Sequence, residues 1–243
     1  MTPRPDPRSP GSVDRLDPVD RVERFDRTER ILHWANAVVV AVLIATAAAL
    51  YIDALAVLVG RRGLVRQVHV VAGLGLPLPL VVALTGPWRR RLRADATALA
   101  RWDDVDRHWL RHPRTTPAAG WAKFSAGQKL NAAVTLGLLG ILLGTGSILH
   151  WFAPFPLEWR TGATFVHDVA ALALVLLVAG HVVKAMRDGD ALRSIVAGWV
   201  PVEWARRRRP RWLPTGDESA LAGRADGGPA GRPPPRHGPE PVG

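Results

Sequence analysis

Two histidines, His167 and His181, sit near the two ends of one apolar run that covers residues 163–187. Fourteen residues separate them. At 100° per residue that is four helical turns less about 40°, so both imidazoles leave the same helix face, about 21 Å apart along the axis. Ala170 and Ala171 lie between them on that face and are small enough for a flat, bulky ligand to approach the backbone. An imidazole inside an apolar span is costly unless it has a partner. A metal satisfies it most cheaply, and for haem iron each histidine needs a second axial ligand from another helix.

The elements that must supply those second ligands are visible as four apolar blocks, at about 31–51, 65–85, 130–151 and 164–186, each nearly devoid of charge. Blocks of about 20 residues are long enough to cross a bilayer as helices. The expected fold is therefore an all-α integral membrane protein, a bundle of four transmembrane helices within 21–213. Residues 1–20, rich in Pro, Asp and Arg, are expected to be a disordered leader and not a secretory signal, and 214–243 a disordered Gly/Pro/Arg tail. The formal charge of +11 is concentrated beside the span ends. That placement favours a membrane surface over nucleic acid as the partner. No cysteine is present, which excludes disulfides, zinc–thiolate sites, iron–sulfur clusters and thiolate nucleophiles in this chain.

His33 and His69 each lie just inside the start of a span, in RILHWANA and VRQVHVVAG. Each by itself reads as an interfacial histidine. Gly73, one turn beyond His69, opens room beside that imidazole or allows close helix packing. Pro77 and Pro79 should kink the second span. The Arg-rich segment 86–128 contains ADATALARWDDVDRHWLRH, which has the pattern of an amphipathic surface helix with Trp102 and Trp109 on one face. His108 and His112 there read as a solvated pair lacking a third ligand, and His150 beside Trp151 as interfacial. Gly137, Gly140, Gly144 and Gly146 give the third span a small-residue face suited to tight packing against a neighbour or a haem edge.

Arginine flanks the first span, fills 86–128 and returns after the fourth span, whereas 52–64 and 152–163 carry little. The positive-inside rule then places both termini and the central segment in the cytoplasm. With that topology His33 and His181 fall at the cytoplasmic level, and His69 and His167 near the opposite surface. Interfacial histidines placed by chance would rarely fall into two depth-matched pairs. Two haems, each held by two histidines, explain the pattern. Bis-histidine ligation leaves iron no open position and suits electron carriage. Arg30 and Lys184 are candidates to meet propionates of the inner haem, and Arg66 those of the outer one.

With these residues in place, the chain from about Arg24 to Trp212 resembles the cytochrome b (gamma) subunits of respiratory formate dehydrogenases, within the four-helix di-haem cytochromes b. Its KFSAGQK at Lys123–Lys129 is similar to the family's K-[FY]-N-x-G-Q-K before the third span. The RxxHW at Arg30–Trp34, His69-x-x-x-Gly73, the His-Asp and Gly-His of the fourth span and Pro210–Trp212 agree with it. The resemblance implies haem b ligation by His33 with His181 and by His69 with His167. It further implies quinone contacts at Ser125, Gly127 and Gln128, with Ser125 standing where the family has Asn. The quinone would be menaquinone or ubiquinone. The implied partners are an iron–sulfur (beta) subunit on the outer face and a molybdenum or tungsten catalytic (alpha) subunit, all at the cytoplasmic (inner) membrane. The chain itself would be the quinone-reducing electron-transfer subunit of an oxidoreductase, without a dehydrogenase centre of its own. The alternatives are the cytochrome b of a hydrogenase, of a thiosulfate reductase or of a stand-alone quinone oxidoreductase, and a haem-free four-span membrane protein.

Overall fold

The computed structural model describes residues 21–87, 89–115 and 120–213. The expected leader and tail lie outside the described residues. The first span is α1 (Arg27–Tyr51). Its start is fixed by a reciprocal cap: Glu29 N–H donates to Asp26 Oδ1 at 2.8 Å, and Asp26 N–H to Glu29 Oε2 at 2.7 Å. A short helix α2 (Asp53–Val59) ends at Gly60, whose φ of 64° is the left-handed cap that glycine adopts without strain.

The second span is built from α3 (Arg62–Gly75) and α4 (Leu78–Thr85), broken where the two prolines fall. Proline lacks the N–H and its ring crowds the carbonyl four residues earlier, and for Pro79 that residue is Gly75, the last of α3. The third and fourth spans are α7 (Ala126–His150) and α8 (Leu157–Met186). All four are long and apolar enough to cross a membrane. Their large side chains point outward, with Leu136 66 % and Leu176 65 % exposed, a surface that only lipid can cover at low cost. The fold expectation is met.

One end of the bundle is closed by a polar cap. Strand β1 (Arg21–Glu23) pairs antiparallel with β2 (Trp199–Pro201), Val22 opposite Val200, so the segments before α1 and after α8 are joined. Helix α9 (Gly189–Ala197) leads into β2 and α10 (Val202–Arg208) follows it. Val200, Trp204 and Ala205 form the cap's small core, with Val22 and Trp212 packed on it. At Gly198 the chain turns with φ 95°, and a Cβ there would lie 2.8 Å from the Phe25 carbonyl oxygen. The Gly198 carbonyl accepts from Arg24 N–H at 2.8 Å and Phe25 N–H at 3.0 Å.

One expectation is corrected. The segment read as one amphipathic surface helix is two helices, α5 (Arg89–Ala100) and α6 (Asp104–Arg111). Asp103 restarts the chain by accepting from Asp106 N–H at 3.0 Å while its own N–H donates to Asp106 Oδ2 at 3.1 Å. Trp102 therefore falls in the break and does not share a helix face with Trp109. Of the α7 glycines expected to pack against a neighbour or a haem edge, Gly146 meets His167 of α8, and the other three stand open. A Cβ at Gly137, Gly140 or Gly144 would meet no atom within 4 Å.

Candidate functional site

Helix α8 packs along α7, and α1 along α3, with α3 also touching α7. Residues one to three turns from the helix ends then face one another across the bundle. His33 of α1 meets His181 of α8 with ring centroids 6.3 Å apart. His69 of α3 meets His167 of α8 at 6.4 Å. The four histidines paired by depth are paired in space, in the combination the sequence suggested.

The separation bears on what the pairs can hold. Two metal–nitrogen bonds of about 2.0 Å, plus about 1.1 Å from each ligating nitrogen to its ring centroid, span about 6.2 Å. Both imidazole pairs stand at that spacing, too wide for a mutual hydrogen bond. Among the described residues no three His, Asp or Glu converge as a metal cage. Two opposed imidazoles are the donor set for a metal that brings its remaining ligands with it, as haem iron does. The residues present fit that group.

The His69 and His167 rings are further oriented by threonines. Thr46 Oγ1 lies 2.8 Å from His69 Nδ1, and Thr145 Oγ1 2.9 Å from His167 Nδ1. Each hydroxyl already donates to its own helix, Thr46 to the Val42 carbonyl and Thr145 to the Ile141 carbonyl, both at 2.7 Å. Its oxygen is thereby left to accept from the ring. Nδ1 carries the proton, and Nε2 keeps the lone pair that a metal needs. Sequence reading missed both threonines, because a threonine in an apolar span ordinarily just bonds back to the preceding turn. Gly146 makes room at the same place: a Cβ there would lie 3.3 Å from His167 Cε1.

The KFSAGQK element forms the junction between α7 and the cap. Lys123 Nζ binds Asp95 at 2.6 Å and Glu29 at 3.3 Å. Ser125, 6 % exposed, precedes α7, and its N–H donates to Gln128 Oε1 at 3.0 Å. That oxygen also accepts from Ser125 Oγ at 3.4 Å and Arg209 Nη2 at 3.1 Å. Lys129 forms a buried ion pair with Asp106 and donates to the Arg101 carbonyl at 2.8 Å. Gly127 faces the Trp109 ring and the Lys184 ammonium, which a Cβ would approach to 3.4 and 3.7 Å. Ser125, Gly127 and Gln128 thus gather at the end of the bundle that holds His33 and His181.

Arg24 and Arg209 both lie against the Trp204 ring, at 5.0 and 5.7 Å. Burial, with Arg209 adding its like charge, pushes Arg24 down to about 10. Burial likewise lowers Arg209 to about 10, against the opposing pull of Asp188. Both remain cationic at neutral pH. Arg30 donates to the Val196 carbonyl at 2.7 Å and the Asp26 carbonyl at 3.4 Å. His108 on α6 and His112 at its end lie with centroids 4.9 Å apart and rings tilted by 44°, and His150 meets Trp151 at 5.0 Å.

Four apolar helices that hold imidazoles opposed at two levels are the architecture of a membrane-embedded haem carrier. The chain belongs to the prokaryotic cytochrome b561 family, whose model matches residues 24–198. With that membership go haem b binding and a multi-pass membrane protein. The cytochrome b556(fdo) subunit of formate dehydrogenase from Escherichia coli K12 is 31 % identical over 93 residues, 37 % of this chain and 44 % of that relative. The formate dehydrogenase cytochrome b556 subunit of Haemophilus influenzae is 34 % identical over 96 residues, 37 % of this chain and 39 % of the relative. The E. coli cytochrome b556(Fdn) subunit of nitrate-inducible formate dehydrogenase is 28 % identical over 93 residues, with 37 % and 43 % covered. The matched stretch spans less than half the length of these curated relatives. The resemblance read from the sequence motifs is borne out at the level of the family.

Proposed function

We propose that the chain is the membrane cytochrome b subunit of a quinone-linked formate dehydrogenase complex, carrying electrons through two haems b. The observation that carries this reading is the pair of imidazole couples, His33 with His181 and His69 with His167, at 6.3 and 6.4 Å between centroids. Haem b, when bound, supplies a one-electron carrier whose iron has no open position. The residues of the chain do the rest. Helix α8 offers one imidazole to each level, so both sites are fixed to a single rigid element. Thr46 and Thr145 hold the outer imidazoles in the metal-binding tautomer. Gly137, Gly140 and Gly144 of α7, where a Cβ would meet no atom within 4 Å, leave open space beside the backbone.

The distribution of arginine supports a cytoplasmic side for the capped end. His69 and His167 then lie toward the outside, where an iron–sulfur subunit would deliver electrons from a molybdenum or tungsten catalytic subunit. Ser125, Gly127 and Gln128 form the quinone contact beside the inner couple. The Gln128 amide N–H can donate to a quinone carbonyl, Ser125 holds that amide by donating from Oγ to Gln128 Oε1 at 3.4 Å, and the cytoplasm supplies the protons.

Purified complex tests this directly. Formate should reduce b-type absorbance in the wild type, and added quinone should reoxidise it. Absence of any b-type band overturns the haem reading. A band that formate fails to reduce, in the complex with its native partners, assigns the chain to another dehydrogenase.

A further inference from the structure

The two imidazole couples differ in their surroundings, and that difference has a direction. On the outer side both rings give their Nδ1 protons to threonine oxygens, at 2.8 and 2.9 Å. On the inner side neither His33 nor His181 has a ring-nitrogen hydrogen-bond partner among the described residues. A hydrogen bond from Nδ1–H makes Nε2 a stronger donor and stabilises the more positive metal. Charges one turn from the ligands act in the same sense. Arg30 and Arg66 each precede an imidazole by three residues, one on each side, and offset each other. Glu29, beyond Arg30, shares the single ammonium of Lys123 with Asp95, at 3.3 and 2.6 Å. Nearest the α8 ligands in sequence stand Asp168 beside His167 on the outer side, held by Tyr51 Oη–H at 3.4 Å, and Lys184 one turn after His181 on the inner side. A carboxylate near a ligand favours oxidised iron, and an ammonium disfavours it.

We infer that Thr46 and Thr145 are positioning residues that hold the outer haem at a lower reduction potential than the inner one, so that an electron moves inward downhill. The inference rests on the two-haem reading proposed above. One electron is exchanged, the outer iron being oxidised as the inner is reduced, and no other reactant enters. The ordering is written into side chains on α1 and α7 that ligate nothing themselves.

Potentiometric titration of b-type absorbance in full-length protein tests it. The wild type should titrate in two waves. Thr46→Val and Thr145→Val, which keep the side-chain volume, should each raise the lower midpoint and leave the upper in place. Thr46→Ser and Thr145→Ser, which keep the hydroxyl, should restore the wild-type curve. Asp168→Asn should also raise the lower wave, and Lys184→Met should lower the upper one. Unchanged midpoints in both valine variants with both haems retained, or a shift confined to the upper wave, would overturn the inference. A wild type without b-type absorbance would overturn the haem reading instead, so the two failures are distinguishable.

Discussion

Lys129 and Asp106 form an ion pair in which both side chains are nearly sealed from solvent, at 8 % and 3 % exposure. The pair pins α6 onto the start of α7, two residues from Gly127, and so fixes the floor of the proposed quinone contact. A buried pair of this kind is worth little against an apolar substitute, but removing one partner leaves a charge uncompensated. Asp106→Ala should cost about 3–5 kcal/mol. The double change Asp106→Leu with Lys129→Met should recover most of that loss. Thermal unfolding in detergent, followed by haem absorbance, checks both, and a neutral Asp106→Ala would show that the pair is not structural.

Gly198 joins the cap to the bundle at a φ of 95°, with the Phe25 carbonyl oxygen 2.8 Å from where a Cβ would stand. Gly198→Ala combines left-handed strain with a backbone clash that no rotamer relieves. The expected cost is about 1–3 kcal/mol or more. Hydrogen exchange should show it first at the Arg24 and Phe25 amides, which donate to the Gly198 carbonyl.

Gly146 leaves space for His167, and a Cβ there would stand 3.3 Å from the imidazole Cε1. Gly146→Val should displace that ring and lower the content of one haem while the other is retained. Gly63→Ala is the control, since its Cβ would meet no atom within 4 Å. Haem-to-protein ratios from extracted pigment read out both.

Gln128 accepts from Ser125 N–H and Arg209 through one oxygen, so its amide N–H₂ is the group left to meet a ligand. Gln128→Leu should weaken quinol-driven haem reduction by about tenfold, the worth of one hydrogen bond of ~1.4 kcal/mol. Haem content should stay constant. An unaltered quinol response would move the contact elsewhere.

The four spans, the break at Pro77 and Pro79, and the two histidine couples were legible because each rests on local signals: hydropathy length, proline chemistry and depth from the nearest charged flank. The cap was not. It is held by partners far apart in sequence, such as Lys123 with Glu29 and Arg209 with Gln128, and no periodicity announces those. Thr46 and Thr145 were hidden for a different reason, since their bonds back to Val42 and Ile141 match what any threonine in a span does. The break at Asp103 was missed because an Asp-Asp-Val-Asp stretch reads equally as a polar helix face and as a cap.

Haem content of the four single histidine variants is the most direct measurement. The account predicts that His33→Ala and His181→Ala remove one and the same haem, and that His69→Ala and His167→Ala remove the other. Loss of the same haem from both His33→Ala and His69→Ala, or full haem content in any of the four, would contradict it.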